Sequence, residues 1–321
     1  MTETGKLLIC MPVYNDWQAA AKLIHHLDRA LADASLRADV MIVNDGSTEA
    51  PPSAMETTAG GIGSVEILHL RRNVNHQRAI AIGLAHICEH RPCDAVVVMD
   101  ADGEDSPEGV VALINAFQSS DKSQVIFAQR RRRAEGLLFR SFYILYKSLH
   151  WTLVGRGIDV GNFSIVPREC LERLAAVSEM WNHYAASVFH ARIPSDSIPI
   201  DRSTRLSGRS RMNFVSWVVH GLCAISVYGD VVAVRLLVTT CTLLGLCVLG
   251  LIGVVVVGLA TQLVVPVWAA TAGAILGIVV LQLVSISSFA AVLILHGRTS
   301  LGFVPSRDYH HFTKEVVKVA G

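Results

Sequence analysis

Two stretches of this chain, Leu236 to Ala260 and Ala269 to Leu295, contain no charged residue at all. Each is about long enough to cross a hydrocarbon core of roughly 30 Å as a helix. Arg235 flanks the first, and His296, Arg298, Arg307, Lys314 and Lys318 follow the second. The link between them is uncharged and holds Pro266 and Trp268, a residue suited to the interface. Basic residues at both ends and none in the link predict a transmembrane hairpin, with both termini on the cytoplasmic side of an inner or plasma membrane. The high mean hydropathy of +0.43 is concentrated here.

Upstream of Val231 the character is different. Leu7–Tyr14 reads as a strand, followed by a helix with Ala20, Leu23, Ile24, Leu27 and Leu31 at helical spacing. Val40–Val43, Val65–Leu70, Val96–Met99 and Gln124–Gln129 are further strands, with a helix over Ala79–Glu89. Ser106-Pro107-Glu108 opens another helix, with a cap residue, proline at its first position and an acid in its first turn. Alternating strand and helix predict an α/β domain with a parallel, doubly wound sheet. A dinucleotide fold would share this rhythm, but the first strand runs into Pro-Val-Tyr-Asn-Asp instead of GxGxxG. Met212–Tyr228 is apolar but broken by His220, Gly221 and Ser226; it reads as a helix lying on the membrane surface or one packed under the soluble domain. The expected organisation is a cytoplasmic domain over 1–211, a juxtamembrane helix over 212–230, a hairpin over 231–298 and a C-terminal tail over 299–321.

A net charge of +1 gives no case for nucleic acid as the main partner. None of the seven cysteines forms a CxxC pair, so buried thiols are expected in place of a disulfide framework or zinc site. The opening residues carry no charged stretch ahead of a long apolar core, so no secretory signal is expected.

The chemistry gathers where Ala95–Met99 stops on Asp100-Ala101-Asp102-Gly103-Glu104-Asp105. Acids emerging at the carboxyl end of a buried strand stand where open α/β sheets place ligands. Crowded carboxylates repel, and hard oxygens suit Mg²⁺ or Mn²⁺. By themselves, Asp100 and Asp102 read equally well as turn and cap residues.

Three more segments accompany the acids: Met11-Pro12-Val13-Tyr14-Asn15-Asp16, Val43-Asn44-Asp45-Gly46-Ser47, and Arg72-Asn73-Val74-Asn75-His76-Gln77-Arg78-Ala79. In this order and spacing they resemble the family 2 glycosyltransferases. Arg205-Leu206-Ser207-Gly208-Arg209-Ser210-Arg211, followed by the hairpin, is similar to the polyprenyl-phosphate branch that includes dolichol-phosphate mannose synthase. The resemblance implies a glycosyltransferase A-type fold and a nucleotide-sugar donor held by Pro12, Tyr14, Asn15, Asp16, Asp45, Asn73, Gln77, Asp100 and Ala101. It implies a divalent cation on Asp100, Asp102 and Glu104, the catalytic acids. It also implies a polyprenyl-phosphate acceptor met by Arg130, Arg133, Arg140, Arg205, Ser210 and Arg211. Asp45-Gly46-Ser47 alone would equally be a plain turn. Departures from the family pattern are Asn44 for aspartate, Asn75 for glycine, Glu104 for glutamine and Asn162 for aspartate.

A lipid phosphate is already ionised near neutral pH, with a second pKa of about 6, and needs no strong base. Direct displacement with inversion is then the simplest course. A hydroxyl acceptor, as in polysaccharide assembly, would need a base, for which Glu179 and His183 are the candidates. A catalytically silent nucleotide-binding membrane protein is the remaining reading, and the intact acids argue against it. The paired spans leave room for homo-oligomerisation.

Overall fold

The computed structural model describes residues 6–320, apart from 53–54, 56, 131–147, 149–150, 156, 158–159, 208–213, 262–266 and 300–301. The chain forms two compact units, one of residues 1–139, 158–227 and 303–321, the other of 140–157 and 228–302.

The first unit is built on an eight-stranded sheet. Its strands are β1 (Leu7–Val13), β2 (Ala38–Asn44), β3 (Ile62–Leu70), β4 (Ala95–Val98), β5 (Val125–Arg130), β6 (Ser164–Pro167), β7 (Ser195–Ile200) and β8 (Thr313–Ala320), in the spatial order 7-5-6-4-1-2-3-8. Every residue of β1 is buried. Side chains alternate across a strand, and β1 shows the consequence. Leu7, Ile9, Met11 and Val13 enter one core with Trp17, Leu23, Leu27 and Leu31 of α1 (Trp17–Asp33) and Val110, Leu113 and Phe117 of α3 (Pro107–Ser119). Leu8 and Cys10 enter the other, against Ile80, Leu84 and Ile87 of α2 (His76–His90) and Leu171, Leu174 and Tyr184. A strand covered on both faces needs no polar alternation, which is why the sequence shows continuous apolar runs.

The expected parallel order holds for β3-β2-β1-β4. The whole sheet is mixed: β6 runs antiparallel between β4 and β5, and β8 antiparallel along β3. A four-residue buried run such as Ser164–Pro167 carries no signal of direction. Within 299–321, expected only as a tail, Thr313–Ala320 returns to the sheet as β8. Phe303 and Phe312 pack on Trp181, with ring centroids 3.8 and 5.1 Å from it, and the Arg71 N–H donates to the Phe312 carbonyl at 2.8 Å.

The second unit holds two long helices, Gly229–Thr261 and Val267–Thr299, packed against each other. Each has 33 residues, about 50 Å at the α-helical rise. Leu249, Leu259, Ile286 and Phe289 are among many large apolar side chains turned outward. Both helices are long and apolar enough to cross a membrane. Near the start of the first, Arg235 donates from Nη1 to the carbonyls of Thr152 and Leu153, each at 3.2 Å.

Candidate functional site

Because β1, β2 and β4 are parallel and in register, their carboxyl ends at Val13, Asn44 and Val98 open on one edge of the sheet. The loops leaving that edge hold most of the polar residues singled out in the sequence.

The β1 and β2 loops are closed by one side chain. Asn15 takes a left-handed φ of 51°, which asparagine tolerates well. Its Oδ1 accepts from the Thr48 and Glu49 N–H groups at 2.8 and 3.0 Å, and its Nδ2 donates to Thr48 Oγ1 at 2.9 Å. Its amide is therefore engaged within the protein. Pro12 is buried inside β1, Ala101 in the core, while Tyr14 stands exposed at the edge.

Asp45 is also buried, and its Oδ1 accepts from the Val74 N–H at 2.7 Å, drawing residues 72–75 against the β2 loop. Burial pushes this carboxyl up to about 6, against the backbone donors of Val74 and Asn75 and the charges of His76 and Arg72. Gly46 makes that approach feasible. With φ of +66°, its backbone lies so close that a Cβ would come within 2.5 Å of Arg72 C and Asn73 N. Asn44 accepts at Oδ1 from Ser47 N–H and meets His69 Nδ1 through Nδ2, both at 2.9 Å.

Asn73 Oδ1 accepts from the Asn75 N–H at 3.1 Å. Asn75 itself has φ 77° and ψ 154°. That is not the left-handed helical basin that asparagine tolerates but an extended, positive-φ region used almost only by glycine. The strain positions the first turn of α2. His76 Nε2 then lies 3.0 Å from Asp100 Oδ1. Burial pulls this imidazole down, yet the Asp100 charge and hydrogen bond, backed by Asp45 and Asp102, leave it raised overall. Gln77 is spent internally: Nε2 donates to Asn162 Oδ1 at 3.1 Å and Oε1 accepts from Tyr184 N–H at 2.7 Å.

The acid turn after β4 is held from within. Asp105, nearly fully buried, accepts from the Asp100 N–H at 2.9 Å, and Asp102 Oδ1 accepts from the Glu104 N–H at 2.9 Å. Ser106 caps α3 by accepting from Gly109 N–H at 3.1 Å. Each of the three expected metal acids is met by a basic side chain of the same chain. Asp100 has His76, Asp102 Oδ2 accepts from Arg205 at 3.0 Å, and Glu104 pairs with Arg202. Arg205 also pairs with Asp16. The acids suit a hard divalent ion in kind. Among the described residues, however, no three His, Cys, Asp or Glu side chains form a ready cage.

Of the expected acceptor residues, Arg205 reaches the acids, and only the backbone of Arg130 is described, at the end of β5 beside Ile200. Arg133, Arg140, Ser210 and Arg211 lie outside the described residues. His76, Asp105 and Arg202 were not singled out for the site. For Arg202 the available signal was its spacing from Arg205; for His76, its place next to Gln77. Glu179 accepts from Ser178 Oγ at 3.0 Å, and His183 Nδ1 accepts from Ala186 N–H at 3.3 Å. The His183 ring also lies 4.6 Å from that of His220, whose imidazole is held down by burial and then by the His76 charge.

The model of glycosyl transferase family 2 matches residues 8–181. The chain is 24% identical over 208 residues to an uncharacterized glycosyltransferase, YkcC, of Bacillus subtilis, covering 63% of this chain and 62% of that protein. It is 22% identical to an undecaprenyl-phosphate 4-deoxy-4-formamido-L-arabinose transferase of Klebsiella pneumoniae, over 71% of this chain and 72% of the relative. A bactoprenol glucosyl transferase of Shigella phage SfX is 25% identical over 65% of this chain and 67% of its own length. Among solved structures, mannosyl-3-phosphoglycerate synthase from Rubrobacter xylanophilus aligns with a TM-score of 0.46 at 12% identity, over 70% of this chain and 72% of that one.

Proposed function

Because the chain belongs to glycosyl transferase family 2, we propose that it transfers a sugar from a nucleotide-sugar donor to a polyprenyl phosphate at the cytoplasmic face of a membrane. The observation that carries this reading is the acid turn at the carboxyl edge of the parallel strands, matched by a histidine from α2 and arginines from the 201–207 segment. The apolar helices that follow, and relatives named for undecaprenyl-phosphate and bactoprenol substrates, support a lipid acceptor.

Asp100, Asp102 and Glu104 would hold Mg²⁺ or Mn²⁺, which when bound neutralises charge as a nucleoside diphosphate departs. The chain's own groups do the rest. Asp45 and the Gly46 turn hold the 72–75 loop against β2, leaving the edge by Tyr14 and Asp16 for base and ribose. His76 keeps the Asp100 carboxylate oriented. Arg205 lies between Asp16 and Asp102, where a guanidinium fork can pass to phosphate oxygens. A phosphate oxygen then attacks the anomeric carbon opposite the departing diphosphate, inverting the configuration.

Helix Phe214–Ser226 supports the membrane placement. Val215, Val218, Val219 and Leu222, at i, i+3, i+4 and i+7, are all exposed and form one apolar face. The domain layout follows: a catalytic part to residue 211, this surface helix within 212–230, the hairpin within 231–298, and a C-terminal segment whose strand Thr313–Ala320 belongs to the catalytic unit.

A hydroxyl acceptor would require a base, and the candidates Glu179 and His183 serve local structure, Glu179 accepting from Ser178 and His183 capping a helix. The test is a panel of radiolabelled nucleotide sugars offered to the detergent-solubilised protein with Mn²⁺ and either polyprenyl phosphate or a sugar alcohol. Label in the lipid phosphate with an inverted anomeric centre is expected. Label only in the sugar alcohol, or transfer unaffected by chelation, would overturn the proposal.

A further inference from the structure

Segment 201–207 lies across the acid turn as a strap. The Ser203 N–H donates to the Glu104 carbonyl at 3.0 Å and the Leu206 N–H to the Asp102 carbonyl at 2.9 Å. These bonds set the register that brings Arg202 onto Glu104 and Arg205 onto Asp102 and Asp16. Arg205 Nε donates to the Ser207 carbonyl at 3.0 Å, so the guanidinium is held on all its edges. Leu206 closes over Gly103, whose missing Cβ makes room for it. At Asp16, Asp102 and Arg205 the side chains are a quarter exposed or less, so water screens these pairs only in part.

We propose that Arg202 and Arg205 are exchangeable counter-ions, holding the acid turn until a divalent cation displaces them and then receiving the diphosphate of the nucleotide. This rests on the glycosyltransferase reading above and adds an order of events to it. A guanidinium keeps its charge at every accessible pH. It cannot make way for a divalent ion at Asp102 by losing a proton, so it must move. Its planar fork matches a diphosphate better than a single carboxylate oxygen. The strap therefore lowers the cation's apparent affinity in the absence of nucleotide and favours their arrival together, since only the diphosphate offers the displaced arginines a new partner.

The test uses the full chain in detergent and does not depend on turnover. Mn²⁺ binding, followed by loss of the free-ion paramagnetic signal, is expected to tighten about threefold to tenfold in Arg205→Gln and less in Arg202→Gln, as removal of partly exposed ion pairs would give. In the wild-type protein, Mn²⁺ alone should speed tryptic cleavage after Arg202 and Arg205, and added pyrophosphate should slow it again. The cleavage arm decides the matter if a variant fails to fold. Unchanged or weaker Mn²⁺ binding in Arg205→Gln, or cleavage indifferent to Mn²⁺, overturns the exchange while leaving the metal role intact. Absence of Mn²⁺ binding in the wild type and both variants overturns the two together.

Discussion

Two loop junctions on the same sheet edge are fastened in opposite ways. Among the loops after β1, β2 and β3, a neutral amide and a buried carboxylate bind backbone N–H groups: Asn15 takes Thr48 and Glu49, and Asp45 takes Val74. After β4, backbone N–H groups also shape the turn through Asp102 and Asp105, but the outward carboxylate oxygens face basic side chains, with Arg202, Arg205 and His76 on the acids. Bonds to backbone cannot be exchanged without moving the chain, whereas ion pairs between side chains can be handed to another ion. The first junction fixes the shape of the edge, and the second is where charge can be passed.

The contrast can be broken first at Gly46. Gly46→Ala forces a Cβ into the Arg72–Asn73 backbone at positive φ, and a loss of about 3 kcal/mol is expected. Thermal or denaturant unfolding in detergent would show it, and a near-neutral variant would mean that the junction is soft. Asp45 gives the next effect. Its carboxyl titrates near roughly 3.9 when unfolded and at about 6 when folded. Between those values the folded chain keeps a proton that the unfolded chain has lost, so stability falls as pH rises through the window. The total loss across the window amounts to about 2–3 kcal/mol at most, and Asp45→Asn should flatten the profile between pH 4 and 6. The smallest effect belongs to Asn75, where Asn75→Gly relieves a φ of 77° with extended ψ. A gain of about 1 kcal/mol is expected in the same unfolding measurement, and a loss would show that the side chain contributes more than its backbone costs.

Much of the edge was legible in the sequence because burial writes itself there. Apolar runs gave β1, β2 and β4, and Ser106-Pro107-Glu108 gave the start of α3. The acids after Met99 stood out only in the company of the three other segments, since alone they would read as turn and cap residues. What stayed hidden depends on where a polar side chain points. Asn15 and Gln77 read as donor-binding residues, but their amides bind Thr48, Glu49, Asn162 and Tyr184. Nothing local distinguishes an amide facing a ligand from one facing backbone. Arg202 meets Glu104 only because the chain comes back across the turn about a hundred residues later, and β8 joins β3 only after the two long helices.

The acid turn is the centre of the account, and neutralising Asp102 tests it most directly. Initial rates of sugar transfer to polyprenyl phosphate, measured for folded wild type and folded Asp102→Asn in the same detergent with Mn²⁺, should differ by about a hundredfold or more. Equal rates in the two proteins would contradict it.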